Sequence, residues 1–338
     1  MTRSSAIYGC AGTNLSAEER TFFRGAQPWG FILFARNIAD PAQVRRLVSS
    51  LRETVGDERA PVLIDQEGGR VARLKPPHWK ARPPAQRFGD LYRENADAGR
   101  NAAYLNARLI AEDLSQLGIN VDCVPVLDLP VPGADTVIGD RAFSSDPEIV
   151  MALGRAVIDG MLDGGVLPVM KHIPGHGRAT ADSHLVLPHV SAPEAELRAT
   201  DFAPFRVLND CPMAMTAHVV YEAIDAERPA TTSAKMIRDV IRGDIGFSGL
   251  LTSDDLSMKA LDGTFAERSR AALAAGCDIL LHCNGRMEEM REIANEAGAL
   301  DGEARARSEK ALAHLRAPNP FDATAAEANL AELMGAMA

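Results

Sequence analysis

Eight short, continuously apolar runs alternate with stretches of helical period along the 338 residues of this chain. The runs fall at 6–10, 30–34, 61–64, 119–126, 166–170, 213–217, 249–252 and 277–282, with amphipathic stretches such as 41–55, 96–117, 147–162 and 234–242 between them. A strand that alternates apolar and polar residues covers one face of a core; a strand apolar throughout is buried on both faces, as parallel strands are. Eight such units with intervening helices predict an α/β fold, a (β/α)8 TIM-type barrel. The competing doubly wound open sheet would carry a glycine-rich dinucleotide fingerprint after its first strand, and none follows residue 10. Barrels of this length fold as one unit. A single catalytic domain over 1–338 is therefore expected, with 285–338 as peripheral C-terminal helices and the Ala-rich 322–338 packed on the outside. Pro76-Pro77 and Pro83-Pro84 mark an irregular loop after the third strand.

Composition narrows the partners. A net charge of −10 without basic runs argues against nucleic acid. Nowhere is there an eighteen-residue apolar run to span a bilayer, and the first twenty residues lack a signal-peptide core. The five cysteines (Cys10, Cys123, Cys211, Cys277 and Cys283) are odd in number, scattered, and set in or beside apolar runs. Buried free thiols in a reducing compartment are expected, and hence a cytoplasmic protein. The sequence does not specify an oligomeric state.

Ionisable residues gather where the apolar runs end. The third run ends in Asp65-Gln66-Glu67-Gly68-Gly69-Arg70 with Arg73 beyond it, and the fourth in Asp128, followed by Asp140-Arg141. The fifth ends in Lys171-His172, the sixth in His218, the seventh in Ser253-Asp254-Asp255 and the eighth in His282. In a barrel these carboxyl ends converge on one face. Of Asp254 and Asp255 only one can point into the mouth, since side chains alternate, and an Asp here also suits a helix N-cap. Four of the eight histidines lie between His172 and His189, on a loop broken by Pro174-Gly175. Asp182 and His184 are two apart, which in extended chain puts both side chains on one side, where the carboxylate orients the imidazole. Arg73, Arg141 and Lys171 offer donors for the hydroxyl and carbonyl oxygens of a polar ligand. His172, His176, Asp182 and His184 are also a candidate metal set, although Pro174 and Gly175 break the helix on which an H-x3-H spacing binds zinc.

The motifs IDQEGGRVARL, KHIPGHG followed by DSH, and SDDLSM after an apolar strand resemble the bacterial β-N-acetylglucosaminidases of glycoside hydrolase family three. The likeness runs from the first strand to Asn284, with several spaced motifs in the same order. It implies a (β/α)8 barrel that removes non-reducing terminal N-acetylglucosamine from GlcNAc-1,6-anhydroMurNAc, with or without a stem peptide, in peptidoglycan recycling. It further implies Asp254 as nucleophile, His184 as proton donor and acceptor oriented by Asp182, and Asp65, Arg73, Arg141, Lys171 and His172 as sugar-binding residues. In the commoner form of the loop GHG is followed by an acid and Thr; Arg178-Ala179 stand there in this chain, which bears on how the loop closes.

The residue types suit that chemistry independently. Retaining glycoside cleavage needs a carboxylate below the ring and an acid at the leaving oxygen. A His departs from the usual second carboxyl group, yet an imidazole of ordinary pKa near ~6.5 matches cytoplasmic pH, and a flanking carboxylate favours its charged form. Neither a cofactor nor a metal is required on this mechanism. The alternatives are phosphorolytic cleavage, drawing on Lys171 and Arg178, a zinc-dependent hydrolase built on the His172–His184 cluster, and a muropeptide-binding sensor without turnover.

Overall fold

Burial on both faces draws the eight apolar runs into a closed barrel, as their pattern predicts. The computed structural model describes residues 3–335. Its strands are β1 (Ser4–Gly9), β2 (Pro28–Leu33), β3 (Val62–Ile64), β4 (Val121–Asp122), β5 (Leu167–Ile173), β6 (Met213–Thr216), β7 (Leu250–Asp255) and β8 (Ile279–His282). Each pairs in parallel with its neighbours in sequence, and β8 closes on β1. Alternation lets every strand feed two cores. Ile7, Leu63, Val121, Val169, Leu250 and Ile279 meet inside the barrel. Tyr8, Ile64, Met170, Ala214, Leu251 and Leu280 face the helices. Each Leu, Ile or Val so buried contributes roughly 1.5–3 kcal/mol.

The surrounding helices are α1 (Ala17–Ala26), α2 (Pro41–Val55), α3 (Ala85–Glu94), α4 (Ala96–Ser115), α5 (Pro147–Asp163), α6 (Glu194–Ala199), α7 (Ala203–Val207), α8 (Phe265–Ala275), α9 (Met287–Glu296), α10 (Gly302–Leu312) and α11 (Ala323–Gly335). The helical stretch expected at 234–242 forms wide π turns over Met236–Asp244. Starts follow local chemistry: Ser16 and Glu19 make a capping box for α1, Thr264 and Glu267 another for α8, and Asp40 caps α2 ahead of Pro41. Beyond residue 285, α9 lies in the helical ring, tied to α1 by Arg291–Glu18 and to α8 by Arg270–Glu296. Helix α10 closes the base of the barrel, where the Trp29 indole donates to Ser308 Oγ at 2.7 Å. Helix α11 packs on α4, and its Glu327 takes Arg82 at 2.9 Å. The last three residues of the Ala-rich stretch lie outside the described residues.

Four long connections rise from the carboxyl ends of β3, β4, β5 and β6, at 65–84, 123–146, 174–193 and 217–235. The β5 connection is pinned to its neighbours. The Tyr221 hydroxyl donates to the Gly175 carbonyl. Gly177 lies so close to the Leu129 carbonyl that a Cβ there would collide with it. A two-residue strand, His189–Val190, pairs with Val220–Tyr221.

Candidate active site

Parity along the strands accounts for part of the polar lining of the barrel mouth. His172 and Asp255, of the opposite parity, line it too, so that both Asp254 and Asp255 reach the mouth where one was expected. Lys171 has the parity of Leu167 and Val169, Asp65 that of Leu63, and Asp254 that of Leu250, and those apolar residues belong to the inner core. All three polar residues accordingly line a cavity of about 390 Å³ at the carboxyl ends, together with Arg73, Arg141, His172, Asp182 and His184. Every residue given a part in sugar binding or catalysis by the resemblance thus lines the same cavity. A larger cavity, of about 690 Å³, opens at the base around Arg3, Trp29 and Leu312. Barrel enzymes place their chemistry at the other end, and none of the candidates reaches the base.

On one wall, five charges alternate in a string. Arg73 reaches Asp65 at 3.1 Å; Lys171 Nζ lies 2.8 Å from Asp65 and 2.7 Å from Glu67; Arg141 grips Glu67 with two bonds of 2.8 Å. Burial pushes the Asp65 carboxyl up, but Lys171 and Arg73 overcome this and hold it well below the ordinary range. Burial likewise pushes Lys171 down, and Asp65 with Glu67 more than reverse it. The wall is ionised throughout the physiological range, a rigid set of donors and acceptors.

Opposite stands Asp254. Its Oδ1 accepts the Asp255 backbone N–H at 2.7 Å. Burial raises its pKa, yet His218 and His172, with that N–H, bring it below the usual carboxylate value. Asp255, by contrast, is used up structurally: it accepts from Ser257 N at 3.0 Å, Ser257 Oγ at 2.5 Å and Cys283 N at 3.1 Å. The helix N-cap that the sequence allows for either Asp does not form, since the chain after Asp255 turns and the next helix starts only at Phe265. Asp255 instead closes that turn on Ser257, which leaves Asp254 free.

Two Asp–His pairs complete the mouth. His172 Nδ1 lies 2.7 Å from Asp128 Oδ2, inside the protein. Burial raises the Asp128 pKa, but His172 overrides this and takes it down to about 2. His184 Nδ1 lies 2.7 Å from Asp182 Oδ1, on the rim. The contact is the one expected, but the chain there is not extended. Asp182 opens a turn in which its Oδ1 accepts His184 N at 2.9 Å and its carbonyl accepts Leu185 N and Val186 N. An Asx-type turn at Asp182, rather than strand alternation, brings the ring back to the carboxylate.

Glu67, Asp128, His176 and Ser183 were given no part in sugar binding or catalysis from the sequence, although Asp128 stands at a strand end and His176 was a candidate metal ligand. Glu67 holds Lys171 and Arg141, Asp128 holds His172, and His176 meets Ser183. The spacing Leu63, Asp65, Glu67 carried a usable signal, since all three share one parity. For the other three the partner is distant in sequence or hidden by the turn. Arg178, considered above as a phosphate-binding cation, does not line the cavity; it is bound to Asp201 at 2.6 Å and Glu196 at 2.7 Å. Nor do the histidines converge on a metal-binding geometry. The His172 and His176 rings are 5.7 Å apart, each with its own partner, and among the described residues no three His, Cys, Asp or Glu side chains are gathered to hold an ion.

Residues 9–316 match the glycosyl hydrolase family 3 N-terminal domain. A beta-hexosaminidase of Alkalilimnicola ehrlichii is 43% identical over 284 residues, covering 82% of this chain and 80% of that protein. The structure of NagZ from Neisseria gonorrhoeae in complex with N-trifluoroacetyl-D-glucosamine superposes with a TM-score of 0.88 at 33% identity, covering 99% of each chain. The same Neisseria protein in complex with zinc ion gives a TM-score of 0.86 at 31% identity, again over 99% of each chain.

Proposed function

The chain belongs to glycosyl hydrolase family 3 and is a β-N-acetylhexosaminidase; from that premise we propose that it is a retaining exo-β-N-acetylglucosaminidase with a covalent intermediate on Asp254. In this reading Asp254 attacks the anomeric carbon while His184 protonates the departing oxygen. His184 then takes a proton from the water that releases the sugar. Asp182 orients the imidazole and stabilises the charge it carries between the two transfers. Asp65, Arg73, Arg141, Lys171 and His172 hold the hydroxyls and acetamide of the N-acetylglucosamine ring. The leaving unit is 1,6-anhydro-N-acetylmuramic acid, with or without a stem peptide, released in cytoplasmic cell-wall recycling without a cofactor. The five buried free thiols support that location, and no helix among the described residues is long and apolar enough to cross a membrane.

One observation carries the assignment. Five carboxylates line the cavity: Asp65, Glu67, Asp182, Asp254 and Asp255. Asp65 and Glu67 are bound to Lys171 and arginines, Asp255 to three donors, and Asp182 to His184. Asp254 is left as the ionised carboxylate able to attack carbon, and the acid beside it is an imidazole. The same inventory favours hydrolysis over phosphorolysis. Those five acids face four cations lining the cavity (Arg70, Arg73, Arg141 and Lys171), all four of them paired, an unfavourable setting for a phosphate dianion.

Release of p-nitrophenol from the β-N-acetylglucosaminide but not the β-glucoside tests the substrate class, and added phosphate should yield no sugar-1-phosphate. A slow fluorosugar should label the peptide 250–258 at Asp254. An oxazoline product without any adduct would instead assign the nucleophile to the substrate's own acetamide. Asp254→Ala should lose nearly all turnover while still binding the sugar.

A further inference from the structure

Between Ala179 and Pro188 the β5 connection is exposed or half-exposed at every position but one, and that one is Ser183, at the centre of the D-S-H motif. The turn that carries Asp182 and His184 to the rim sends the intervening side chain the opposite way, into the protein, where Ser183 is 2% exposed. Its Oγ lies 3.0 Å from His176 Nε2. The His176 ring is itself buried, its backbone N–H donates to Asp128 Oδ1 at 2.6 Å, and Asp128 also holds His172. On its other side the Ser183 carbonyl accepts the Ala260 backbone N–H at 3.2 Å, from the segment that follows Asp254 and Asp255. One buried residue therefore ties the rim turn both to the strand end bearing the sugar-binding pair and to the segment after Asp254.

We infer that Ser183, held by His176, is a positioning residue that sets where His184 meets the leaving oxygen relative to Asp254. This rests on the reading of His184 as acid and base. Neither Ser183 nor His176 lines the cavity, so they act through the turn rather than on substrate. Burial pushes the His176 pKa down to about 4, so its ring stays neutral while the enzyme works and the strut keeps one protonation state. Its Nδ1 has no partner among the described residues and is shut from solvent. An unpaired lone pair there is less costly than an unpaired N–H, which places the single ring proton on Nε2, donated to Ser183 Oγ.

A misplaced acid harms only the steps that need proton transfer. Pre-steady-state and steady-state rates are therefore compared for two β-N-acetylglucosaminides, one with a 2,4-dinitrophenyl leaving group and one with an alkyl leaving group. Ser183→Ala should lower kcat on the alkyl substrate by roughly 10- to 10²-fold, the scale of a misplaced catalytic group, and leave the dinitrophenol burst rate unchanged. His176→Phe should do the same from the other side, and the double variant should be no worse than either single one, since both remove one strut. His184→Ala, measured alongside, separates the inference from its premise. If His184→Ala discriminates between the leaving groups and neither Ser183→Ala nor His176→Phe does, the positioning role is overturned. Equal losses of both single variants on both substrates, or a double variant whose losses multiply, overturn it as well. If His184→Ala shows no discrimination, the assignment of the acid fails first and the inference falls with it.

Discussion

The two Asp–His pairs at the mouth have the same contact, 2.7 Å from Nδ1 to a carboxylate oxygen, and opposite surroundings. In the inner pair the His172 side chain is 9% exposed and Asp128 is completely buried. In the outer pair His184 is 62% exposed and Asp182 29%. The inner carboxylate also accepts two backbone N–H groups, from His172 and His176, so its imidazole cannot turn without breaking a network. The outer pair hangs from one turn. On the proposed reading identical chemistry serves two ends: a fixed ring presents Nε2 to a sugar oxygen, and a ring at the rim exchanges protons with groups that arrive and leave. Burial, not the pair itself, would then separate a binding dyad from a catalytic one.

Leaving-group dependence is the sharpest way to break that contrast. His184→Ala should cut turnover of the natural disaccharide by ~10²–10⁴-fold. An activated glycoside should still give a burst of phenol, then stall until azide is added to attack the intermediate. His172→Ala should lower kcat/KM by roughly 10²-fold on every leaving group alike, because it misplaces the ring rather than the proton. Should the two variants exchange these signatures, the roles of the two pairs are exchanged.

Stability against pH separates the carboxylates. Asp128 is depressed from 3.8 to about 2 in the folded protein, so its contribution is complete above the unfolded value and is lost as pH falls through about 2. In urea titrations the stability gap between the wild type and Asp128→Asn should therefore narrow by roughly 1.5–2 kcal/mol between about pH 4 and pH 2. Asp182→Asn, at an exposed pair, should shift stability by less than about 1 kcal/mol. Its mark is kinetic and the smallest of the set, a loss on the order of tenfold on the alkyl glycoside only, because the imidazole remains but loses its guide.

The strands were legible because each is apolar on both faces, a property of residues adjacent in sequence. Local start signals were also present for α1, where Ser16 and Glu19 form the capping box, although the apolar pattern alone does not single that helix out. Helix α3 carried no such signal: it begins immediately after Pro83-Pro84, with Pro84 as an N-cap that offers no side-chain bond. At the site, alternation is consistent with Asp254 and Lys171 facing inward, but the choice of Asp254 over Asp255 came from the family resemblance. The partners were not readable in the same way. That Asp128 serves His172 across 44 residues, or that Asp255 is spent on Cys283 N–H while Asp254 is free, depends on how strand ends meet around the barrel. The Asp182–His184 contact was anticipated for the wrong geometric reason, and the turn that actually makes it is what buries Ser183.

The string Arg73–Asp65–Lys171–Glu67–Arg141 has a consequence for how such a site can change over generations. Each interior member neutralises two neighbours, so replacing one strands a charge in a largely buried wall, a loss of about 3–5 kcal/mol for a broken buried pair. A single step of that size takes a marginally stable protein close to unfolding. Lineages can therefore alter this wall only through compensating changes made together, and the order in which substitutions arrive decides which are survivable. Selection for a new sugar at this mouth would meet a ridge on the Arg73 side and an open slope on the Asp182 side, where the residues are exposed and bound one to one. New specificities should accordingly be reached first by drift in the rim turn, with the charged string inherited nearly unchanged.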